Sequence, residues 1–93
     1  MPRLTTIHPE AATGKQRELL DTVRTRLGRV PNMMRTMAQS PAVLEGYLAL
    51  SQALAGGMLD ARVRQQLALA TAQANECAYC LSAHTAIGTQ VGL

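Results

Sequence analysis

Two cysteines and one of the chain's two histidines fall within nine residues, Glu76-Cys77-Ala78-Tyr79-Cys80-Leu81-Ser82-Ala83-His84. The spacing is C-x-x-C-x-x-x-H. On a helix, residues three and four apart share a face, so Cys77, Cys80 and His84 project together. A thiol in the first helical turn faces unpaired backbone N–H groups and the positive end of the helix dipole. That setting favours the thiolate of Cys77. Cys80 lies within disulfide reach of Cys77. An imidazole one turn beyond a thiol, as His84 is from Cys80, can take its proton or stabilise its thiolate.

Other readings of the same residues are weaker. Two cysteines can be small buried hydrophobes, but the helical spacing with a histidine argues against it. Cys77, Cys80 and His84 offer three zinc ligands where a structural site uses four. The only other histidine, His8, stands beside Pro9 in a segment expected to be exposed and idle. A thioredoxin-like redox motif needs a βαβ context that is absent. No glycine motif supports a dinucleotide or nucleotide site.

The elements that must position these groups are helices. Residues 1–12 read as an irregular arm, with Pro2 and Pro9 opposing regular structure. A first helix starts near Thr13, carries Leu19, Leu20, Val23 and Leu27 at helical spacing, and ends at Gly28. Val30 before Pro31 is extended, and Asn32 is the expected N-cap of a short helix, Met33 to Gln39. Met33, Met34 and Met37 read as adaptable core filling in preference to a pliable substrate wall. Ser40-Pro41 opens a third helix that carries Val43, Leu44, Tyr47, Leu48, Leu50 and Leu54 and stops at Gly56-Gly57. Asp60 caps a long helix from Ala61 to about Ala74, with Val63, Leu67, Ala70 and Ala74 as its apolar stripe and Leu69 widening it. Asn75-Glu76 makes a tight turn, and a last helix runs from near Cys77 at least to Gly88. No strand alternation, repeat or low-complexity segment is present, so the fold class is all-α.

Composition bounds the rest. The 93 residues support a single domain, 1–93, with residues 60–90 as the helix-turn-helix that carries the motif. A chain this short is marginal alone and gains from association. The sequence is 47% hydrophobic without Trp or Phe, which suits close helix packing of Leu, Ala, Val and Met. The net charge of +3 is spread between Arg3 and Arg64, and no basic block interleaved with aromatics suggests nucleic-acid binding. No apolar leader and no membrane-length segment is visible, which predicts a cytoplasmic protein that binds no membrane. In that compartment a C-x-x-C pair points to redox or metal chemistry. Val91-Gly92-Leu93 closes the chain directly after the motif. That predicts either a fragment of a longer chain or a partner subunit over the motif's far side.

If the last two helices form an antiparallel hairpin about Asn75, residues equidistant from the turn lie side by side. Gln65 then falls opposite Thr85 and close to His84. The resulting order is Gln65 as orienting group, His84 as base and Cys80 as nucleophile, with Cys77 as resolving partner at the helix mouth.

Val63-Arg64-Gln65-Gln66-Leu67-Ala68-Leu69-Ala70, followed by Asn75-Glu76-Cys77-Ala78-Tyr79-Cys80-Leu81-Ser82-Ala83-His84-Thr85, resembles the core of the AhpD-like (carboxymuconolactone decarboxylase-like) family. The close likeness covers residues 60–90, and the earlier helices resemble the N-terminal half of peroxidase-related members. The resemblance implies an all-helical, obligately oligomeric bundle (a homotrimer or hexamer), longer in typical members than this chain. It implies thiol-dependent alkylhydroperoxidase and disulfide-reductase activity without metal, haem or other cofactor. A hydroperoxide would be the substrate, and an external dithiol or protein would be the reductant. By the family pattern Cys80 attacks peroxide, Cys77 resolves and His84 is the base.

The chain departs from that pattern in two places. The family usually has a glutamate twelve residues before the first cysteine, where Gln65 stands here. Glutamine can fix the histidine tautomer by a hydrogen bond but supplies no negative charge to an imidazolium. Tyr79 occupies a place where some relatives have a second histidine, and its hydroxyl is a weaker proton relay. Gln65 motivates a second reading, a redox-sensing or binding module with little turnover. A decarboxylase-type lyase ranks third, because that branch of the wider family generally lacks the paired cysteines.

Overall fold

The computed structural model describes residues 3–93. It contains five helices: α1 (Gly14–Leu27), α2 (Asn32–Met37), α3 (Pro41–Ala55), α4 (Ala61–Ala74) and α5 (Ala78–Gln90). No strand occurs among the described residues, and the fold is all-α. None of these helices is long and apolar enough to cross a membrane. The chain forms two compact units, Met1–Gln52 and Ala53–Leu93.

The first unit is built around Leu19, Leu20 and Val23 of α1, which are buried together with Ala12, Met34, Ala38 and Leu44. Fully burying a branched side chain of this size stabilises by about 1.5–3 kcal/mol. Gly28 ends α1 in the left-handed region, φ 77°, with its N–H donating to the Arg24 carbonyl at 2.8 Å. Tyr47 and Leu48 of α3 pack against this core, whereas Val43, Leu50 and Leu54 remain exposed. Pro41 takes the first position of α3, and the Ser40 carbonyl accepts from Val43 and Leu44 N–H. The Lys15 ammonium is 2.9 Å from Glu45 and 3.6 Å from Glu18. The hydrogen bond to Glu45, then the charge of Glu18, raises its pKa above the ordinary lysine value.

Two details of this unit correct the sequence reading. Pro31, not Asn32, is the N-cap of α2: its fixed φ of −61° suits the extended cap position, and its carbonyl accepts from Met34 and Arg35 N–H. Asn32 becomes the first helical residue, and its side chain accepts from Arg35 Nη1 at 3.2 Å. The helix stops at Met37, two residues short of Gln39. Second, the N-terminal arm is tied down. Ile7 N–H donates to the Arg35 carbonyl at 3.1 Å and Arg35 Nε donates back to the Ile7 carbonyl at 3.0 Å. Gln39 Nε2 donates to the Thr5 carbonyl. His8 is exposed as expected, but it is not idle: Arg35 Nη2 lies 3.2 Å from its Nδ1. A guanidinium only donates, so His8 Nδ1 is the acceptor there. Met34 and Met37 do fill the core, while Met33 is exposed. The part of the arm reading that rests on Pro2 lies outside the described residues.

In the second unit Asp60 caps α4, its Oδ1 accepting from Val63 N–H at 2.9 Å. Helices α4 and α5 then pack as a hairpin. The buried face of α4 differs from the expected stripe. Ala72 is buried and Gln65, Ala68 and Leu69 are half-buried, whereas Leu67, Ala70 and Ala74 are exposed. Apolar residues surround α4, so spacing alone did not select its face. Ala68 and Ala72 suit the contact because their small side chains let two backbones approach closely.

Candidate functional site

The turn that delivers Cys77 is a Schellman motif. Glu76 N–H donates to the Gln73 carbonyl at 3.2 Å, and Cys77 N–H donates to the Ala72 carbonyl at 3.0 Å. The residue that must adopt the left-handed conformation is Glu76, φ 53°, the only described non-glycine residue with positive φ. Glycine usually holds such a position, because a Cβ there costs about 1–2 kcal/mol. At the C-terminal end of α5 the same motif uses Gly92, φ 90°, with Leu93 N–H donating to the Gly88 carbonyl at 2.8 Å.

The Schellman turn leads directly into α5. Cys77, in extended conformation, is its N-cap, one residue before the first helical position, and its Sγ accepts from Cys80 N–H at 3.2 Å. The sulfur therefore takes the role that a Ser or Asp oxygen fills at most helix starts. Cys77 and Cys80 are joined as a disulfide with Cα atoms 5.2 Å apart. Both are half-buried. Their sulfurs are thus committed to each other. No group of three or more His, Cys, Asp or Glu side chains converges as a metal site among the described residues.

His84 lies one turn beyond Cys80 and is also half-buried. The hairpin places Gln65 directly against it, with Gln65 Oε1 2.7 Å from His84 Nδ1. An amide oxygen only accepts, so Nδ1 carries the proton and donates. The lone pair of the neutral ring is left on Nε2, free to accept a proton. Gln65, expected near His84 from the hairpin register, is its direct partner.

Cys77, Cys80 and His84 border one open depression of about 350 Å³. Its opposite wall is Leu67, Ala68, Thr71 and Ala72 of α4, with Asn75 at the turn. Nothing in the sequence marks Thr71 as a site residue, and Asn75 is marked there only as the pivot of the turn. With Leu67 they form an i, i+4, i+8 row on α4. The hairpin register that predicts Gln65 beside His84 also brings Thr71 and Asn75 to the level of the cysteines and Leu67 to that of His84. Tyr79, between the cysteines, is 55% exposed and does not border the depression. Chemically, the site holds a two-electron thiol/disulfide couple beside an imidazole of fixed tautomer and an aliphatic wall.

The chain is similar to known proteins in fold and sequence. A crystal structure of the alkylhydroperoxidase AhpD core from Rhodospirillum rubrum superposes with a TM-score of 0.85 at 26% identity, covering 100% of this chain and 73% of that one. An uncharacterized protein of Haemophilus influenzae is 47% identical over 47 residues, which is 50% of this chain and 42% of that protein. The chain thus spans less than half the length of this curated relative. The profile of the carboxymuconolactone decarboxylase family matches residues 41–93, which hold α3, the α4–α5 hairpin and every residue bordering the depression. With the fold and this match in agreement, the chain belongs to the carboxymuconolactone decarboxylase family, on the AhpD-like side of its structural range.

Proposed function

We propose that the protein is a thiol-dependent alkylhydroperoxidase, with Cys80 and Cys77 as its redox couple, His84 as base and Gln65 as the residue that orients the base. The observation that carries this reading is the Gln65–His84 hydrogen bond beside a closed Cys77–Cys80 disulfide. In the reduced protein, His84 Nε2 takes the Cys80 proton. The Cys80 thiolate attacks one oxygen of a hydroperoxide ROOH. A sulfur–oxygen bond forms and the O–O bond breaks. The leaving alkoxide takes the proton from His84 and departs as ROH, leaving Cys80 as sulfenic acid. The Cys77 thiol then displaces that hydroxyl as water and closes the disulfide. An external dithiol reopens it by thiol–disulfide exchange and is itself oxidised.

The Cys77 N-cap position supports its resolving role, since a thiolate there is favoured by the helix N-terminus. The exposed apolar side chains Met58, Leu59 and Ile87 in the second unit support a homo-oligomer, which the proposal includes. A second reading, a redox sensor that closes its disulfide with negligible turnover, is favoured by the neutral Gln65, which cannot stabilise an imidazolium by charge.

Thiol titration and intact-mass measurement of the reduced protein, before and after one equivalent of cumene hydroperoxide, test the proposal. Loss of both thiols with loss of two hydrogens, and stoichiometric release of the alcohol, is the expected result. Two remaining thiols with intact peroxide overturn it. Repeated turnover with excess dithiol separates the enzyme from the sensor.

A further inference from the structure

Threonines in these helices usually turn their hydroxyls back on the backbone. Thr22, Thr25, Thr36 and Thr89 each donate to the carbonyl four residues earlier, at 3.0–3.1 Å. Thr71 does not donate to Leu67 in this way, nor does Thr85 to Leu81, and neither exposed hydroxyl has a protein partner among the described residues. Of the two, only Thr71 borders the depression. The Asn75 carboxamide is likewise uncommitted; only its backbone N–H is used, donating to the Thr71 carbonyl at 3.0 Å. Both residues border the depression that holds Cys77, Cys80 and His84. They are the only polar side chains contributed by its α4 wall and turn, the rest being Leu67, Ala68 and Ala72.

We infer that Thr71 and Asn75 position the hydroperoxide, donating hydrogen bonds to its oxygens while Leu67 and Ala68 receive its alkyl group. The substrate class is therefore a compact organic hydroperoxide, with hydrogen peroxide the poorer substrate. This inference rests on the peroxidase reading and adds to it a division of labour across the depression. The α5 side supplies sulfur and proton. The α4 side holds the O–O bond in line for attack. In the transition state negative charge builds on the departing oxygen, and a donor already aimed there stabilises it more than it does the ground state. A hydroxyl or carboxamide makes one neutral hydrogen bond, and its loss lowers the rate by about tenfold. The order along α4 fits a bipolar ligand, with Asn75 and Thr71 at the cysteine end and Leu67 one turn further from the turn.

The test compares wild type, Thr71→Val, Thr71→Ser and Asn75→Ala, all prereduced, in single-turnover reactions with cumene hydroperoxide and with hydrogen peroxide. Alkylation of the same proteins by iodoacetamide runs in parallel as a readout of thiolate formation and access. Expected is a loss of about tenfold in the cumene hydroperoxide rate for Thr71→Val, recovery in Thr71→Ser, and unchanged alkylation in both. Asn75→Ala, at a helix end where no side-chain bond is lost, serves as the independent variant and is expected to lose a similar factor. Equal peroxide rates in wild type, Thr71→Val and Asn75→Ala overturn this inference alone. So does a peroxide loss matched by an equal loss of alkylation, which would make the role structural. A wild-type protein that alkylates but consumes neither peroxide overturns the peroxidase reading, and this inference with it.

Discussion

Gln65 Oε1 accepts the Nδ1 proton of His84 at 2.7 Å, across the hairpin formed by α4 and α5. This bond sets which nitrogen of the ring carries the proton and which keeps its lone pair. It does so with a neutral group. A carboxylate in the same place would form a charge-assisted bond and favour the protonated ring.

Gln65→Glu is accordingly predicted to raise single-turnover peroxide consumption by about tenfold, since a hydrogen bond to a charged group contributes roughly 1–2 kcal/mol more than a neutral one. The added charge favours imidazolium, so the acid limb of the pH–rate profile moves to higher pH, where the ring must lose its proton to act as base. Gln65→Ala removes the orienting bond and is predicted to lower the rate. Rates measured from pH 5 to 9 for the three proteins decide this. Identical profiles would remove Gln65 from the relay.

Glu76 offers a prediction about stability. Glu76→Gly relieves about 1–2 kcal/mol of left-handed strain and returns about 0.4–1 kcal/mol of freedom to the unfolded chain. The expected result is a small gain, visible as a rise in Tm. Glu76→Val, β-branched in the same conformation, is predicted to lower Tm. A lower Tm for the glycine variant would mean that the Glu76 side chain makes a contribution that its exposure does not suggest.

In the first unit, Arg35 holds the arm through Ile7 and His8 and is itself braced by Asn32 within α2. Arg35→Ala removes these three bonds while leaving the backbone bond from Ile7 N–H in place. The expected cost is about 1–3 kcal/mol, with faster hydrogen exchange at Ile7. Unchanged exchange would show the arm to be held by its remaining contacts: the Ile7 backbone bond, the Gln39–Thr5 bond and the burial of Ala12.

Much of this site was legible in the sequence because it depends on local rules. The C-x-x-C-x-x-x-H spacing on one helix fixes Cys77, Cys80 and His84 on a shared face. Gln65 was found from the register about a tight turn. The helix starts at Pro41 and Asp60 and the stop at Gly28 follow from side-chain chemistry at each position. Other features depend on tertiary context. The buried face of α4 does not follow from spacing, because leucines and alanines surround the helix, and its small residues Ala68 and Ala72 form the contact. Pro31 takes the cap position expected of Asn32 because its fixed φ suits the extended conformation there, although it offers no side-chain acceptor. Glu76 carries no local mark of a left-handed residue, and only the paired bonds to Gln73 and Ala72 reveal it. Thr71 and Asn75 gained interest only once the depression they border was visible.

The most direct test of the central claim is the mass of prereduced Cys77→Ser after one equivalent of cumene hydroperoxide, with dimedone present to trap sulfenic acid. The account predicts stoichiometric loss of peroxide and a single dimedone adduct mapped to Cys80, because attack proceeds and resolution is blocked. The matching Cys80→Ser protein is predicted to leave peroxide and thiol untouched. An adduct on Cys77 in Cys80→Ser, with none on Cys80 in Cys77→Ser, would contradict the assignment and exchange the roles of the two cysteines.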